Sequence, residues 1–197
     1  MKDTRIKLLL LDFDGTLADT RQANTSAYVT ALREAGQALT EQEYEARYFG
    51  MRCEEFLTRL GIADPAERER LRLRKIALYP AFFDTVRLNR PLWDFCCQFR
   101  TQGGRVWIVS TGSRENIDHV MHHLGIGGPT TAEAPNGRVD GILSGADVAH
   151  SKPAPDCFLE VMRREGCTPH ETLIFEDSPI GLEAACRSGA GYFKITL

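Results

Sequence analysis

Two carboxylates one residue apart, Asp12 and Asp14, follow directly on four leucines, Leu8 to Leu11, and precede Gly15-Thr16. The apolar run is far short of the about 20 residues that cross a membrane. It has the length of a strand buried on both faces of a parallel sheet. Open α/β sheets place ligands beyond the carboxyl ends of their strands, so the two acids stand where chemistry is expected. On an extended chain, residues two apart share a face. Two like charges held that close repel, and one takes up a proton unless a cation neutralises them. The pattern therefore points to a Mg2+ site with a nucleophilic carboxylate. The competing reading is a strand ending in a solvated acidic turn, since Asp and Gly are ordinary turn residues.

Three further groups fall at strand ends or loops on the same expected sheet edge. Ser110-Thr111-Gly112 follows the apolar run 105–109. Its hydroxyl and backbone donors suit a phosphate oxygen, helped by the amino end of the next helix; a plain helix cap at Ser113 would also account for it. Lys152 precedes Pro153, which keeps it in extended chain before a helix. There it can pair with Asp12 and a phosphate together, or stand as a surface lysine. Glu176-Asp177 follows an apolar strand and precedes a Ser-capped, Pro-started helix. Metal ligation is one reading, and acids favoured by the helix dipole are the other. His119 and His123 are four apart on one helix but lack any metalloprotease pattern and read as a solvated face. Gly125-Ile126-Gly127-Gly128 follows a helix instead of a strand, so it is a stop and turn.

The elements that must position these residues alternate. Strands are expected at 7–11, 105–110, 139–144, 172–176 and 192–196, with helices at 91–102, 113–124, 155–165 and 179–188. Strands alternating with helices imply a parallel sheet with right-handed crossovers. Between 20 and 87 strand signals vanish. Ala23, Ala27, Ala31, Leu32 and Ala35 form an apolar helical stripe, with Asp19 or Thr20 able to cap it. Thr40 with Glu43 forms a capping box, a short helix runs from Cys53 to Leu60, and Asp64-Pro65 opens another. The Arg and Glu run at 68–74 reads as a solvated face with weak pairs. The fold class is thus α/β, a Rossmann-like parallel sheet core over 1–17 and 88–197 with a small α-helical domain inserted at 18–87, near the strand ends.

A chain of 197 residues suffices for one domain carrying such an insertion. Net charge is −3, which gives no electrostatic footprint for nucleic acid or an anionic membrane. Signal-peptide grammar is absent, so the expected location is cytoplasmic. Six cysteines without a Cys-x-x-Cys pair imply reduced thiols, most of them small buried residues.

In chain order the groups are Asp12-Phe13-Asp14-Gly15-Thr16, Ser110, Lys152 and Glu176-Asp177. In this the sequence resembles the haloacid dehalogenase-like superfamily of phosphohydrolases, in its phosphoglycolate phosphatase and β-phosphoglucomutase-like branch. The helical stretch is similar to that family's α-helical cap. The resemblance implies that Asp12 attacks phosphorus to form an aspartyl-phosphate. It implies Mg2+ held by the Asp12 side chain, the Asp14 main-chain carbonyl and Asp177, with Glu176 close or bound through water. Asp14 would protonate the leaving alkoxide and later take a proton from water. Ser110, Lys152 and donors around Thr111 would bind the transferring phosphoryl group. Asp14 favours phosphoryl transfer over dehalogenation, whose halide needs no proton. Mutase relatives commonly carry a histidine ten residues after the second motif aspartate; Asn24 stands there, which favours hydrolysis. A β-phosphoglucomutase-like mutase and a non-catalytic binder of a phosphorylated ligand are the alternatives. Arg52 in the cap could pair with a substrate carboxylate or hydroxyl, or face solvent. The expected substrate is a small phosphate ester, either a phosphoglycolate-like acid or a sugar phosphate, with no nucleic-acid or membrane partner and a monomer or dimer. The chain closes at Leu197, where many relatives continue for another helix, and the 127–138 stretch reads as a longer surface loop.

Overall fold

The four leucines of β1 (Leu8–Leu11) alternate between two cores. Leu9 and Leu11 join Trp93, Ile117 and Val120 on one face. Leu8 and Leu10 join Phe158, Val161, Ala184 and Ala185 on the other. A strand covered on both faces must be apolar at every position, and all four side chains are fully buried. In this computed structural model, which describes residues 5–127 and 139–197, β1 is the middle of a five-stranded sheet. The other strands are β4 (Arg105–Val109), β5 (Gly141–Leu143), β6 (Thr172–Glu176) and β7 (Gly191–Lys194). Their order is β5-β4-β1-β6-β7, and every pairing is parallel. One face carries α5 (Arg90–Thr101) and α6 (Arg114–His123); the other carries α7 (Asp156–Glu165) and α8 (Pro179–Ser188).

The chain leaves this sheet at β2 (Ala18–Asp19) and returns at β3 (Arg87–Leu88), which pair with each other as a two-stranded antiparallel ribbon. Between them lie α1 (Arg21–Glu34), α2 (Glu41–Arg47), α3 (Cys53–Arg59), α4 (Pro65–Leu78) and a 3-10 turn at Tyr79–Thr85. These helices enclose their own cluster of Leu32, Tyr44, Phe56, Leu57, Ile62 and Leu71. Their starts follow the sequence signals. Thr40 and Glu43 form a reciprocal capping box, and the Asp64 side chain accepts from the Ala66 N–H with Pro65 in the first turn.

Three local features add to the sequence reading. Of the two cap candidates for α1, Asp19 accepts from the Arg21 N–H at 3.4 Å, whereas Thr20 makes no side-chain cap bond because its hydroxyl is turned to Asp14. The ribbon β2–β3 leaves no mark in the sequence, since two-residue strands carry no periodicity. The charged face of α4 does pair locally, Arg70 with Glu67 and Arg72 with Glu69, but Arg72 also reaches Glu115 on α6 at 3.1 Å. The loop read over 127–138 lies, Gly127 apart, outside the described residues. Among the described residues no helix is long and apolar enough to cross a membrane.

Candidate active site

Sheet register gathers the site. Leu11 pairs with Ile108 on β4 and with Phe175 on β6. The next residue, Asp12, therefore stands beside Val109 and Glu176. Its backbone N–H donates to the Phe175 carbonyl at 2.9 Å. The chain then turns sharply, with the Leu17 and Ala18 N–H groups both returning to the Phe13 carbonyl. Gly15 takes φ +94, and a Cβ there would collide with the Asp177 carboxylate. Only glycine gives both the left-handed backbone and the close approach. Thr16 donates its hydroxyl to Asp177 Oδ1 at 3.2 Å.

Lys152, from the loop between β5 and α7, reaches into this corner. Its Nζ donates to Asp12 Oδ1 at 2.7 Å, Glu176 Oε2 at 2.6 Å and the Val109 carbonyl at 3.2 Å. The other oxygen of Glu176 is occupied too, accepting from the Ser178 hydroxyl and from the N–H groups of Asp177 and Ser178. Ser178 also caps α8, so one hydroxyl ties the start of α8 to the acid beneath it.

Asp12, Glu176 and Asp177 can each offer a carboxylate oxygen within 4.8 Å of the others. Lys152 is the one ammonium among them. Burial works against its charge, but Asp12 and Glu176 overcome that and hold it above the ordinary lysine value. Burial and the neighbouring Glu176 charge push the Asp12 carboxyl up, against the pull of Lys152. Burial and Glu176 likewise push Asp177 up to about 6. Three carboxylates facing Lys152, with Arg21 at 3.7 Å from Asp177, still leave an excess of negative charge, which adds to burial in raising the carboxyls. A hard divalent cation would relieve it, and an all-oxygen donor set is the kind Mg2+ takes. The residues present fit such an ion.

The Asp14 side chain points elsewhere. Its Oδ1 accepts from the Thr20 hydroxyl at 2.6 Å and from the Asn24 amide at 3.0 Å. Its Oδ2 lies 3.4 Å from the Ser110 hydroxyl. The acids that crowd Asp12 are therefore Glu176 and Asp177, because the chain has left the strand by residue 12 and strand alternation no longer aligns 12 with 14. Ser110 ends β4 and accepts from the Gly112 N–H at 3.0 Å. Thr111 gives its hydroxyl to the Gly50 carbonyl of the helical insert at 2.8 Å, so this side chain links the two parts of the chain.

Asp14, Asn24, Arg52, Lys75, Thr111 and Gly112 line a cavity of about 500 Å³ between the insert and the sheet edge. Arg52 stands in its wall instead of facing solvent. Its Nη2 donates to the Val148 carbonyl at 2.8 Å, and its buried Nε has no hydrogen-bond partner. Sequence reasoning brought Asp12, Lys152, Glu176 and Asp177 to one cluster, with Asp14 and Ser110 beside it. It missed Thr20, Asn24 as a ligand of Asp14, Lys75 and Gly181. Lys75 had a signal: it lies four residues after Leu71, on the apolar side of an otherwise charged helix.

The fold is a parallel α/β sheet with a cluster of acids at the carboxyl ends of its central strands. The family model described as haloacid dehalogenase-like hydrolase matches residues 9–195, and the chain belongs to that family. The fructose-1-phosphate phosphatase YqaB of Escherichia coli is 29% identical over 192 residues, covering 96% of each chain. The crystal structure of a haloacid dehalogenase-like hydrolase from Bacteroides fragilis superposes with a TM-score of 0.77 at 25% identity, over 96% of this chain and 87% of the other. That of CbbY from Rhodobacter sphaeroides, in complex with phosphate, gives 0.81 at 22% identity, over 95% and 84%. Membership and phosphatase relatives make the chain an enzyme, a phosphoric monoester hydrolase.

Proposed function

We propose that the protein is a Mg2+-dependent phosphatase of a small phosphorylated metabolite, with Asp12 as nucleophile and the insert over 18–87 as its cap. The observation that carries this reading is the buried corner in which Lys152 bridges Asp12 and Glu176 beside Asp177, two residues along the chain from Asp14, which lines the cavity. Asp12, Asp177 and the Asp14 main-chain carbonyl would hold the ion, with Glu176 near it. When bound, Mg2+ supplies charge that lets an anion approach a phosphate dianion.

Lys152 holds Asp12 Oδ1 in place and presents positive charge to the phosphoryl oxygens. An Asp12 oxygen forms a bond to phosphorus as the ester O–P bond breaks, and Asp14 gives its proton to the departing alkoxide. Water then attacks the same phosphorus while Asp14 takes its proton, releasing phosphate and restoring Asp12. Ser110 and nearby backbone N–H groups bind the transferring oxygens, where charge develops. Arg52 meets the rest of the substrate. The volume of about 500 Å³ suits a small metabolite, and the sugar-phosphate activity named for the Escherichia coli relative agrees with it. Phosphoglycolate-like acids and sugar phosphates are the classes to screen. Asn24 favours water over a returning hydroxyl as acceptor, since an amide cannot carry a proton away as an imidazole can. The test is phosphate release from p-nitrophenyl phosphate. EDTA abolishes it, and Mg2+ restores it. Turnover that EDTA does not touch refutes the metal-dependent reading.

A further inference from the structure

Arg21, the first residue of α1, borders a pocket of about 270 Å³ that shares no residue with the substrate cavity; Gly15, Asp19, Asp177 and Lys194 border it too. Its Nη2 lies 3.7 Å from Asp177 Oδ2, beyond hydrogen-bond length, and its guanidinium is 4.2 Å from the centroid of the Phe49 ring in the insert. A cation in the first turn of a helix is disfavoured by the helix dipole, so α1 itself does not account for it. We propose that Arg21 is a displaceable counter-charge that competes with Mg2+ for Asp177 and so sets how tightly the protein binds the ion. The proposal rests on the reading of Asp12, Asp177 and the Asp14 carbonyl as the metal site.

The two cations beside the acid cluster differ in kind. The Lys152 side chain is 3% exposed and is fastened to Asp12, Glu176 and the Val109 carbonyl. Moving it would strand two buried acids without a counter-ion. Among the described residues it makes no ion pair with Asp177. The Arg21 side chain is 44% exposed, and its contact with Asp177 is ionic without a hydrogen bond. An exposed pair of that length is weak, so the guanidinium can leave Asp177 without breaking the fold. The open pocket gives it room, and the Phe49 face and the Asp19 carboxylate give it somewhere to rest. Asp177 Oδ1 accepts from the Thr16 hydroxyl, and Oδ2 is the oxygen paired with Arg21. A divalent ion bonded to this carboxylate would share it with the guanidinium, and like charges on one carboxylate repel. Arginine does not give up its proton, so only withdrawal of the side chain relieves the repulsion. Binding the ion therefore costs the Arg21–Asp177 pair, and the affinity is lower than the acids alone would give. Lys194 borders the same pocket but makes no ion pair with Asp177 among the described residues, so the effect belongs to Arg21.

The experiment is calorimetric titration of MgCl2 into the metal-free full chain, without substrate, at about 0.05 M salt, where exposed charges are little screened. Arg21→Gln should tighten Mg2+ binding about three- to tenfold, and Arg21→Glu further, in order of charge. Arg21→Lys keeps the charge and should stay within about twofold of wild type. At about 0.5 M salt the gain in Arg21→Gln should shrink below about twofold. Arg163→Gln removes an exposed charge on α7 that pairs with Glu160, and should leave Kd within about twofold. Unchanged or weaker binding in Arg21→Gln overturns the proposal, as does an equal gain in Arg163→Gln. Asp177→Asn tells the two readings apart, since it should weaken Mg2+ binding at least about tenfold. If Asp177→Asn binds the ion as wild type does, or wild type binds none, the metal-site reading has failed and the proposal falls with it.

Discussion

Gly181, in the first turn of α8, lies flat against the Glu176 carboxylate. A Cβ at this position would fall well under 3.0 Å from the Glu176 Cδ and both its oxygens, where ordinary contact begins near 3.4 Å. Gly181→Ala at a helical position would by propensity alone stabilise by about 1 kcal/mol. Here the methyl meets a group with no room to retreat. Glu176 is 1% exposed, and its oxygens are held at 2.6 Å by Lys152, at 2.9 Å by the Ser178 hydroxyl and at 3.1 and 3.2 Å by two backbone N–H groups. Moving the carboxylate out of contact stretches at least one of these past bonding distance. Overpacking costs about 1–3 kcal/mol, and a lost hydrogen bond to a charged group about 1.5–3 kcal/mol. The net result is a loss of about 2–4 kcal/mol, which for a chain of this size lowers Tm by about 5–15 °C. Lys152 loses its second anchor, so kcat should fall at least tenfold as well. Thermal unfolding and turnover of p-nitrophenyl phosphate measure both. A Gly181→Ala protein more stable than wild type with unchanged kcat would show that Glu176 is not held against α8, and the geometry of the whole corner would be wrong.

Lys152→Met leaves Asp12 and Glu176 buried without their shared cation. It should destabilise the fold by about 3–5 kcal/mol in urea titration and reduce kcat to background; a variant within 1 kcal/mol of wild type, about the value of a surface pair, contradicts the bridge. Lys75 makes the wild type pH-sensitive in a defined direction. Its folded value near 7 lies below the ordinary 10.5, so between those limits the unfolded chain binds the extra proton and stability rises with pH, by at most about 1.4 kcal/mol per unit. Subtracting the stability curve of Lys75→Met should isolate that rise; parallel curves from pH 7 to 10 rule it out. Arg52→Met should raise KM about tenfold for a phosphorylated sugar or hydroxy acid at little cost in kcat, and leave p-nitrophenyl phosphate within about twofold, as loss of uniform binding does. Equal effects on both substrates would place Arg52 outside the substrate's reach.

What the sequence showed and what it hid divide along a physical line. β1, β4 and β6 were legible because a strand buried on both faces has to be apolar throughout, and their carboxyl ends carried Asp12, Ser110 and Glu176-Asp177 at once. Capping chemistry marked α2, α4 and α8, since Thr40, Asp64 and Ser178 act within three residues of themselves. The hidden part is contact across long stretches of chain. Nothing local to Thr20 says that its hydroxyl turns from α1 to Asp14. Nothing local to Gly181 says that a carboxylate lies on it. Lys75 meets Asn24 across 51 residues, and only its place in an apolar stripe hinted that it was buried. Arg72 read as part of a solvated face because its local partner Glu69 is four-square with that reading, while Glu115 lies 43 residues away.

The claim on which the account turns is that Asp12 itself carries the phosphoryl group, and chemical trapping tests it most directly. Wild-type protein in steady turnover with Mg2+ is quenched in acid and reduced with borohydride, which converts an acyl-phosphate to an alcohol. The account predicts homoserine at position 12 and at no other aspartate, with none formed in Asp12→Asn. Unreduced Asp12 in an enzyme quenched while releasing phosphate, or homoserine at another position, would contradict it.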